Sequence, residues 1–331
     1  MNSQCKIQAL GLCSGGLDSI LSALVLREQG IAVEWITFET PFFSSEKARR
    51  ASLCTGIPLI VRNITRVYLE MLKNPRCGYG HYMNPCLDCH ALMFRLAGKV
   101  MKERGFDFLF SGEVLGQRPM SQTRNSLRYV EKNSDFEGYI LRPLSAQKLP
   151  ETIPEKQGLI RRDLLLGISG RGRKDQMALA EKFGVTDYPV PAGGCLLTDK
   201  GYAARLKDLL DHKEDDSENS LHLLKYGRHF RLPDGSKLVV GRTQADNENM
   251  IRYHNPEKDA MIKMKNFPGP TVLIPGNQAG TDTVKFAASV CAGYSKAPKD
   301  IPVEVSIITR GKYENVQVTA LLPDAVKAFL L

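Results

Sequence analysis

Long apolar runs are missing from this 331-residue chain. No segment approaches the roughly 18 consecutive apolar residues of a membrane-spanning helix, so no membrane partner is expected. A secretory leader pattern is missing as well. Within a few residues of Met1 the chain enters a strand-like run, and a cytoplasmic protein is expected. There is no internal repeat and no low-complexity tract, which sets aside repeat arrays. Tryptophan is reduced to Trp35, which sits inside a strand-like segment and reads as core. Acidic residues are in deficit: 36 Asp and Glu face 45 Lys and Arg, a net charge of +9 that suits a polyanionic partner. The length allows about two or three domains, and an apolar share of 43% supports a sizeable core. In a cytoplasmic chain the 8 cysteines read as thiols or metal ligands rather than disulfides.

The strongest local signal is Ser14-Gly15-Gly16-Leu17-Asp18-Ser19. It follows the apolar run Ile7 to Cys13 and precedes the helix-like Ile20 to Leu26. Two glycines permit a tight turn and a close backbone approach by a ligand. The unpaired N–H groups of a helix start, and its dipole, then favour an anion such as a phosphate. The Ser14 and Ser19 hydroxyls add donors, and Asp18 suits either Mg²⁺ on the phosphates or a helix cap. The Walker lysine and the dinucleotide-fingerprint spacing are both lacking. A plain glycine turn between strand and helix is the alternative.

Strand-like segments at 6–13, 33–39, 58–62 and 107–111 alternate with helix-like ones at 18–29, 44–54, 64–72 and 88–104. That order predicts an α/β fold with a parallel sheet, whose ligands sit beyond the carboxyl ends of the strands. Ser111-Gly112-Glu113 lies at one such end. Gly112 could admit adenine or ribose, with Glu113, Gln117 and Arg118 as contacts, and Phe38 could line an adenine pocket. Solvated loop and buried strand end are the bland readings. Residues 142–176 carry Arg142, Lys148, Lys156, Arg161, Arg162, Arg171, Arg173 and Lys174, either a solvated face or a phosphate-contacting strip, with Gly167 to Arg173 as a flexible loop. The acidic stretch Lys213 to Ser220 predicts a boundary, giving domains 1–212 and 213–331, the second smaller and α+β or mostly β. Strand-like runs there are 228–232, 237–240, 270–274 and 303–309.

Asn84-Pro85-Cys86-Leu87-Asp88-Cys89-His90 is the second strong signal. Two thiols near a helix N-terminus favour the thiolate, the form that attacks or binds metal. Cys195 follows two glycines far downstream. The three sulfurs allow a redox pair with a bystander, a zinc site completed by His90 or His81, or three ligands of a [4Fe–4S] cluster with one open iron. Cys5, Cys13, Cys54, Cys77 and Cys291 read as packing residues.

The string S-G-G-x-D-S resembles the PP-loop of the ATP pyrophosphatase superfamily, whose members adenylate a carbonyl oxygen. With the N-P-x-x-x-C segment and the later G-G-C, residues 1–212 look like the tRNA thiouridylases. Cys86 stands where the 2-thiouridylases carry Asp, and C-x-x-C plus a distant cysteine instead resembles the cluster-dependent tRNA thiolation enzymes. Leu238 to Glu248 resembles the V-G-R-x-x-x-x-N segment of NFACT-R domains, associated with RNA. Together these resemblances imply an ATP-dependent tRNA sulfurtransferase using ATP, Mg²⁺ and a [4Fe–4S] cluster. Ser14, Gly15, Gly16, Asp18, Ser19, Phe38, Gly112, Glu113, Gln117 and Arg118 would hold the nucleotide. Cys86, Cys89 and Cys195 would hold the cluster and act in catalysis with Asp18. A sulfide or persulfide donor would supply sulfur, and Arg228, Arg231 and Arg242 would contact RNA phosphates. A PP-loop sulfurtransferase or ligase on a small molecule, and an RNA-binding factor with a regulatory ATP site, are the alternatives. The oligomeric state leaves no trace in the sequence.

Overall fold

A computed structural model describes residues 6–189, 195–276 and 280–331. The chain divides into two compact units, Met1–Cys195 and Leu196–Leu331.

In unit 1 the order is β1 (Gln8–Leu12), α1 (Leu17–Glu28), β2 (Ala32–Glu39), α2 (Glu46–Thr55), β3 (Leu59–Asn63), α3 (Thr65–Lys73) and α4 (Cys86–Arg104). Then follow β4 (Phe108–Ser111), α5 (Arg124–Lys132), β5 (Ile140–Leu141), α6 (Ile153–Lys156) and α7 (Lys174–Lys182). The five strands form one parallel sheet in the order β3-β2-β1-β4-β5. Helices cover the central strands, so Ala9, Leu10, Trp35, Ile36, Phe108, Leu109 and Phe110 are all buried regardless of which face they take. Such strands read as continuous apolar runs, which is why the sequence pattern matches the observed elements here. The chain leaves β1 toward β2 and β3, then crosses back to β4 on the other side. The sheet therefore changes direction between β1 and β4, where ligands bind in open α/β sheets.

Unit 2 contains α8 (Lys200–Asp211), α9 (Glu218–Leu223), β6 (Arg228–Arg231), β7 (Lys237–Val240), α10 (Gln244–Tyr253), β8 (Ala260–Met264) and β9 (Val272–Ile274). It ends with α11 (Thr281–Gly293), β10 (Val303–Thr309), β11 (Lys312–Val318) and α12 (Pro323–Val326). Its six strands are ordered β11-β10-β8-β9-β7-β6, and every pairing is antiparallel. Helix α11 packs small residues, Ala287, Ala288 and Ala292, against Phe230, Leu238, Ile262 and Val305 of the sheet. The division between units falls ahead of the expected boundary at 212/213. The acidic stretch is a turn inside unit 2, because α8 is bonded into the second sheet. Asp208 pairs with Arg231 at 2.5 Å and Lys237 at 3.2 Å, and the Tyr202 hydroxyl donates to the Leu221 carbonyl at 3.1 Å.

Candidate functional site

The glycine turn lies at the carboxyl end of β1. Gly15 takes φ 73°, and a Cβ there would stand 2.2 Å from the Lys47 carbonyl carbon, so both conformation and space require glycine. Gly16 caps α1 in an extended conformation with no side chain to satisfy the helix N–H groups. Ser19 Oγ donates to the Gly16 carbonyl at 2.8 Å and stands 3.5 Å from Ser14 Oγ. Cys13 is buried beneath the turn; its Sγ accepts the Gly15 N–H at 3.3 Å, and burial pushes the thiol up to about 11. Gly112, just after β4, closes on this turn. A Cβ there would lie 2.4 Å from both the Asp18 carbonyl carbon and the Ser19 nitrogen.

Asp18 faces a group of polar side chains with spare capacity. Gln117 Nε2 donates to Asp18 Oδ2 at 3.0 Å. Asp18 Oδ1, Gln117 Oε1, Arg173 Nε and both amide atoms of Gln176 are buried and have no hydrogen-bond partner. Burial pushes the Asp18 carboxyl up, against the opposing pull of Gln117, Arg173 and Arg118. Unpaired buried polar atoms cost stability, and so many on one side of a phosphate-type turn mark a place for a polar ligand. Gln176, which is fully buried, carries no mark in the sequence that would have found it. Arg173 was legible only as one member of the basic segment.

That segment is committed in part. Arg142 is buried between Glu113, at 3.0 Å, and Glu131. Arg162 bonds Glu155 at 2.6 Å and the carbonyls of Ala146 and Leu149, and Arg161 bonds Asp163 at 2.8 Å. The loop expected to be flexible is tied down, since Ile168 N–H donates to Leu144 at 2.8 Å and Gly170 N–H to Leu115 at 2.7 Å. Glu113 also has its oxygens committed. Oε2 takes Arg142 and the Ser111 hydroxyl at 3.2 Å, and Oε1 meets His90 Nδ1 at 2.9 Å. Burial would raise Glu113, but Arg142 and His90 overcome it and hold the carboxyl at about 2. Glu113 is thus an anchor between α4 and the end of β4. Phe38 is buried at the end of β2.

Cys86 opens α4 behind Pro85, and the Cys89 N–H donates to the Pro85 carbonyl at 2.8 Å. Asp88, between them, accepts the Cys77 N–H at 2.8 Å and the Tyr129 hydroxyl at 2.9 Å. The Tyr68 ring of α3 is fully buried beside the thiols. Burial raises Tyr68 well above its usual range, and Cys89, Cys195 and Cys86 each raise it further. Cys89 is pushed up to about 12 by burial, with Cys195 and Cys86 adding to the effect. The structure therefore brings Cys195 into the surroundings of the C-x-x-C pair; Gly193 and Gly194 lie outside the described residues. Among the described residues no three His, Cys, Asp or Glu side chains come close enough to share one metal ion. A single zinc needs such convergence. A [4Fe–4S] cluster takes cysteine thiolates on separate irons, and Cys86, Cys89 and Cys195 are the thiols that act on one another here. His90 is taken by Glu113, and His81 packs on Tyr82 with ring centroids 4.1 Å apart. Two expected packing thiols differ: Cys54 and Cys77 are exposed, whereas Cys13 and Cys291 are buried and Cys5 lies outside the described residues.

In unit 2 the Val240-Gly241-Arg242 and Asn247 positions form a structural knot. Asn247 Oδ1 accepts the Thr271 N–H at 2.9 Å, and a Cβ on Gly241 would strike that oxygen at 2.0 Å. Arg242 bonds Asp246 at 2.7 Å. Arg231 is largely buried and held by Asp208 and Glu214, which removes it as a phosphate contact. Arg228 lies 5.2 Å from the Tyr294 ring centroid. No helix of the described residues is long and apolar enough to cross a membrane.

Comparison with known proteins follows the same division. Structural similarity is found to a chain described as a predicted subunit of tRNA methyltransferase from Methanocaldococcus jannaschii, at 17% identity and TM-score 0.39, covering 63% of this chain and 89% of that one. A 4-thiouridine synthetase solved with RNA and bound ATP is similar at 21% identity and TM-score 0.33, over 56% of this chain and 54% of its own. Residues 5–153 match the family described as thiamine biosynthesis protein (ThiI), and residues 227–330 the family described as NFACT protein RNA binding domain (NFACT-R_2). By these matches the chain carries a ThiI domain in its first unit and an NFACT-R_2 domain in its second, as the sequence resemblances implied.

Proposed function

We propose that this chain is an ATP-dependent tRNA sulfurtransferase that adenylates a uridine carbonyl oxygen and replaces that oxygen with sulfur. The observation that carries the reading is continuity. Gly112 touches Asp18 and Ser19 of the phosphate-type turn, and the next residue, Glu113, is bonded to His90, adjacent to Cys89. An activating half and a sulfur half thus share one end of the sheet.

The N–H groups at the start of α1, with the Ser14 hydroxyl, bind the ATP phosphates, and Ser19 joins them if its hydroxyl turns from the Gly16 carbonyl. Mg²⁺ would fit the unpaired Asp18 Oδ1 and Gln117 Oε1, and would neutralise phosphate charge. The uridine oxygen attacks the α-phosphorus and pyrophosphate leaves, with Arg118 and Arg173 offsetting the charge. Sulfide then attacks the activated carbon, forming the new carbon–sulfur bond as AMP carries the oxygen away; from a persulfide donor, a second thiol would have to take up the inner sulfur as a disulfide to free the outer one as sulfide. A [4Fe–4S] cluster on Cys86, Cys89 and Cys195 would offer an iron with an open position for sulfide. Water must be kept from the adenylated carbon, since its attack there would return the uridine. The NFACT-R_2 unit would hold tRNA.

Anaerobic purification tests the cluster: brown protein with about four irons per chain is expected, and colourless protein with zinc would refute it. The name of the matched family favours a second reading, in which the sulfur goes to a small-molecule precursor. In that case activity would survive removal of the unit-2 RNA contacts, and tRNA nucleosides would be unchanged by loss of Asp18.

A further inference from the structure

The buried residues of α7 are Gln176 and Ala180, four apart and therefore on one helix face. That face lies toward α1: Ala180 and the partly buried Leu179 belong to the apolar cluster that holds Leu17, Ile20 and Leu21. An apolar side chain would suit the inner slot at 176. The chain instead places a carboxamide there, 0% exposed, with neither amide atom hydrogen-bonded. A buried, unpaired amide costs stability, whereas an apolar side chain of the same shape would not.

The segment leading into α7 is fixed beside Gln117 as well. The Gly170 N–H donates to the Leu115 carbonyl at 2.7 Å, and Leu115 pairs with Ser169 in a parallel bridge. Gln117 and Arg173 thus follow two segments that are tied together, and Asp18 lies within electrostatic reach of Gln117, Arg173 and Gln176.

The unpaired buried atoms of these residues sort into two sets. Asp18 Oδ1, Gln117 Oε1 and Gln176 Oε1 are oxygen acceptors, and Arg173 Nε and Gln176 Nε2 are N–H donors. Oxygen acceptors suit a divalent cation such as Mg²⁺, and N–H donors suit a phosphate oxygen. A magnesium-bound phosphate brings both. Asp18, Gln117 and Arg173 are half-buried, so the group opens on their side while Gln176 closes it from within.

We propose that α7 forms the inner wall of the phosphate site, where Gln176 gives its oxygen to Mg²⁺ beside Asp18 and Gln117, and its N–H, together with that of Arg173, to a phosphate oxygen. The proposal rests on the reading of the glycine turn as an ATP site. It adds to that site a segment beyond residues 5–153, which carry the ThiI match.

Calorimetric titration of ATP into the full chain, in Mg²⁺ and in EDTA, tests it, together with thermal unfolding of each ligand-free protein. Gln176→Met, close in size and apolar, is expected to melt at or above the wild-type temperature. In Mg²⁺ it is expected to bind ATP at least about tenfold more weakly than wild type. A side chain that only packs would show the reverse, a lower melting temperature with wild-type ATP affinity in the folded protein. Gln176→Glu keeps an oxygen for the cation and adds a charge, so its gain in ATP affinity from EDTA to Mg²⁺ should exceed the wild-type gain. Arg173→Met should lose about tenfold in both buffers. Wild-type ATP affinity in folded Gln176→Met overturns the proposal, and so does a Gln176→Glu protein whose gain from Mg²⁺ is no larger than that of wild type. Wild type that binds no ATP in either buffer overturns the ATP site beneath it. The Gln176→Glu comparison keeps the test decisive if Gln176→Met does not fold.

Discussion

Replacing Gly112 with alanine tests the junction between the strand end and the phosphate-type turn. The added Cβ would lie 2.4 Å from the Asp18 carbonyl carbon and the Ser19 nitrogen, both backbone atoms that cannot rotate away. Ordinary contact begins near 3.4 Å, so the start of α1 must retreat by about 1 Å (3.4 − 2.4). Overpacking of this kind costs about 1–3 kcal/mol, which lowers the melting temperature of a unit this size by roughly 2–12 °C. The effect on chemistry should be larger. A ~1 Å misplacement of positioned groups costs about a hundredfold in rate. Gly112→Ala is therefore expected to remain folded but to lose about two orders of magnitude in tRNA-stimulated ATP–pyrophosphate exchange. Gly172→Ala, where a Cβ meets nothing within 4 Å, is the control and should be near wild type. Wild-type exchange in a folded Gly112→Ala protein would refute the placement of ATP on this turn.

Further outcomes follow from the buried charges and from unit 2. Arg142→Ala leaves Glu113 and Glu131 without their shared cation and should destabilise unit 1 by about 3–5 kcal/mol in urea unfolding; Arg142→Lys should not fully restore it, because one ammonium cannot fork between two carboxylates. Glu113 is held at about 2, below the ordinary glutamate value of 4.5, so the folded protein favours the ionised carboxylate. That contribution is fully present above about pH 4.5 and is lost as pH falls toward 2, on the order of 3 kcal/mol in all. Urea midpoints measured at pH 7 and pH 3 should fall less for Glu113→Gln than for wild type, and an equal fall would exclude Glu113 as a source of acid sensitivity. Gly241→Ala must displace the Asn247 side chain from Thr271, and should lower the unfolding free energy of unit 2, read by urea unfolding, by about 1–3 kcal/mol.

The parallel sheet was legible because its strands are apolar on both faces and separated by helices of ordinary length. β5 was not, since Ile140–Leu141 is too short to show a pattern. β11 was missed because Lys312 to Gln317 has almost no buried face, leaving no alternation to read. The turn at Ser14 and the cysteine pair could be found because glycine and cysteine at tight spacing are rare and chemically specific. The partners of those residues could not. Gln176 reaches Asp18 from α7, and Arg142 reaches Glu113 from beyond α5, so only the folded chain brings them together. For the same reason Arg142, Arg161 and Arg162 read as available for phosphate until their carboxylate and carbonyl partners are in place. The division between units lies ahead of the acidic stretch, and Asp208 and Glu214, which flank that turn, are bonded into the second sheet through Arg231 and Lys237.

The central claim is that an ATP held at the glycine turn activates a uridine oxygen for replacement by sulfur supplied near Cys86, Cys89 and Cys195. Nucleoside mass spectrometry tests it most directly, on unmodified tRNA incubated anaerobically with the full chain, ATP, Mg²⁺ and sulfide. The account predicts thiouridine with the wild-type chain, and none with Asp18→Ala or with any of the three cysteines replaced by alanine. ATP cleaved to AMP and pyrophosphate with no thiouridine in the tRNA would contradict it.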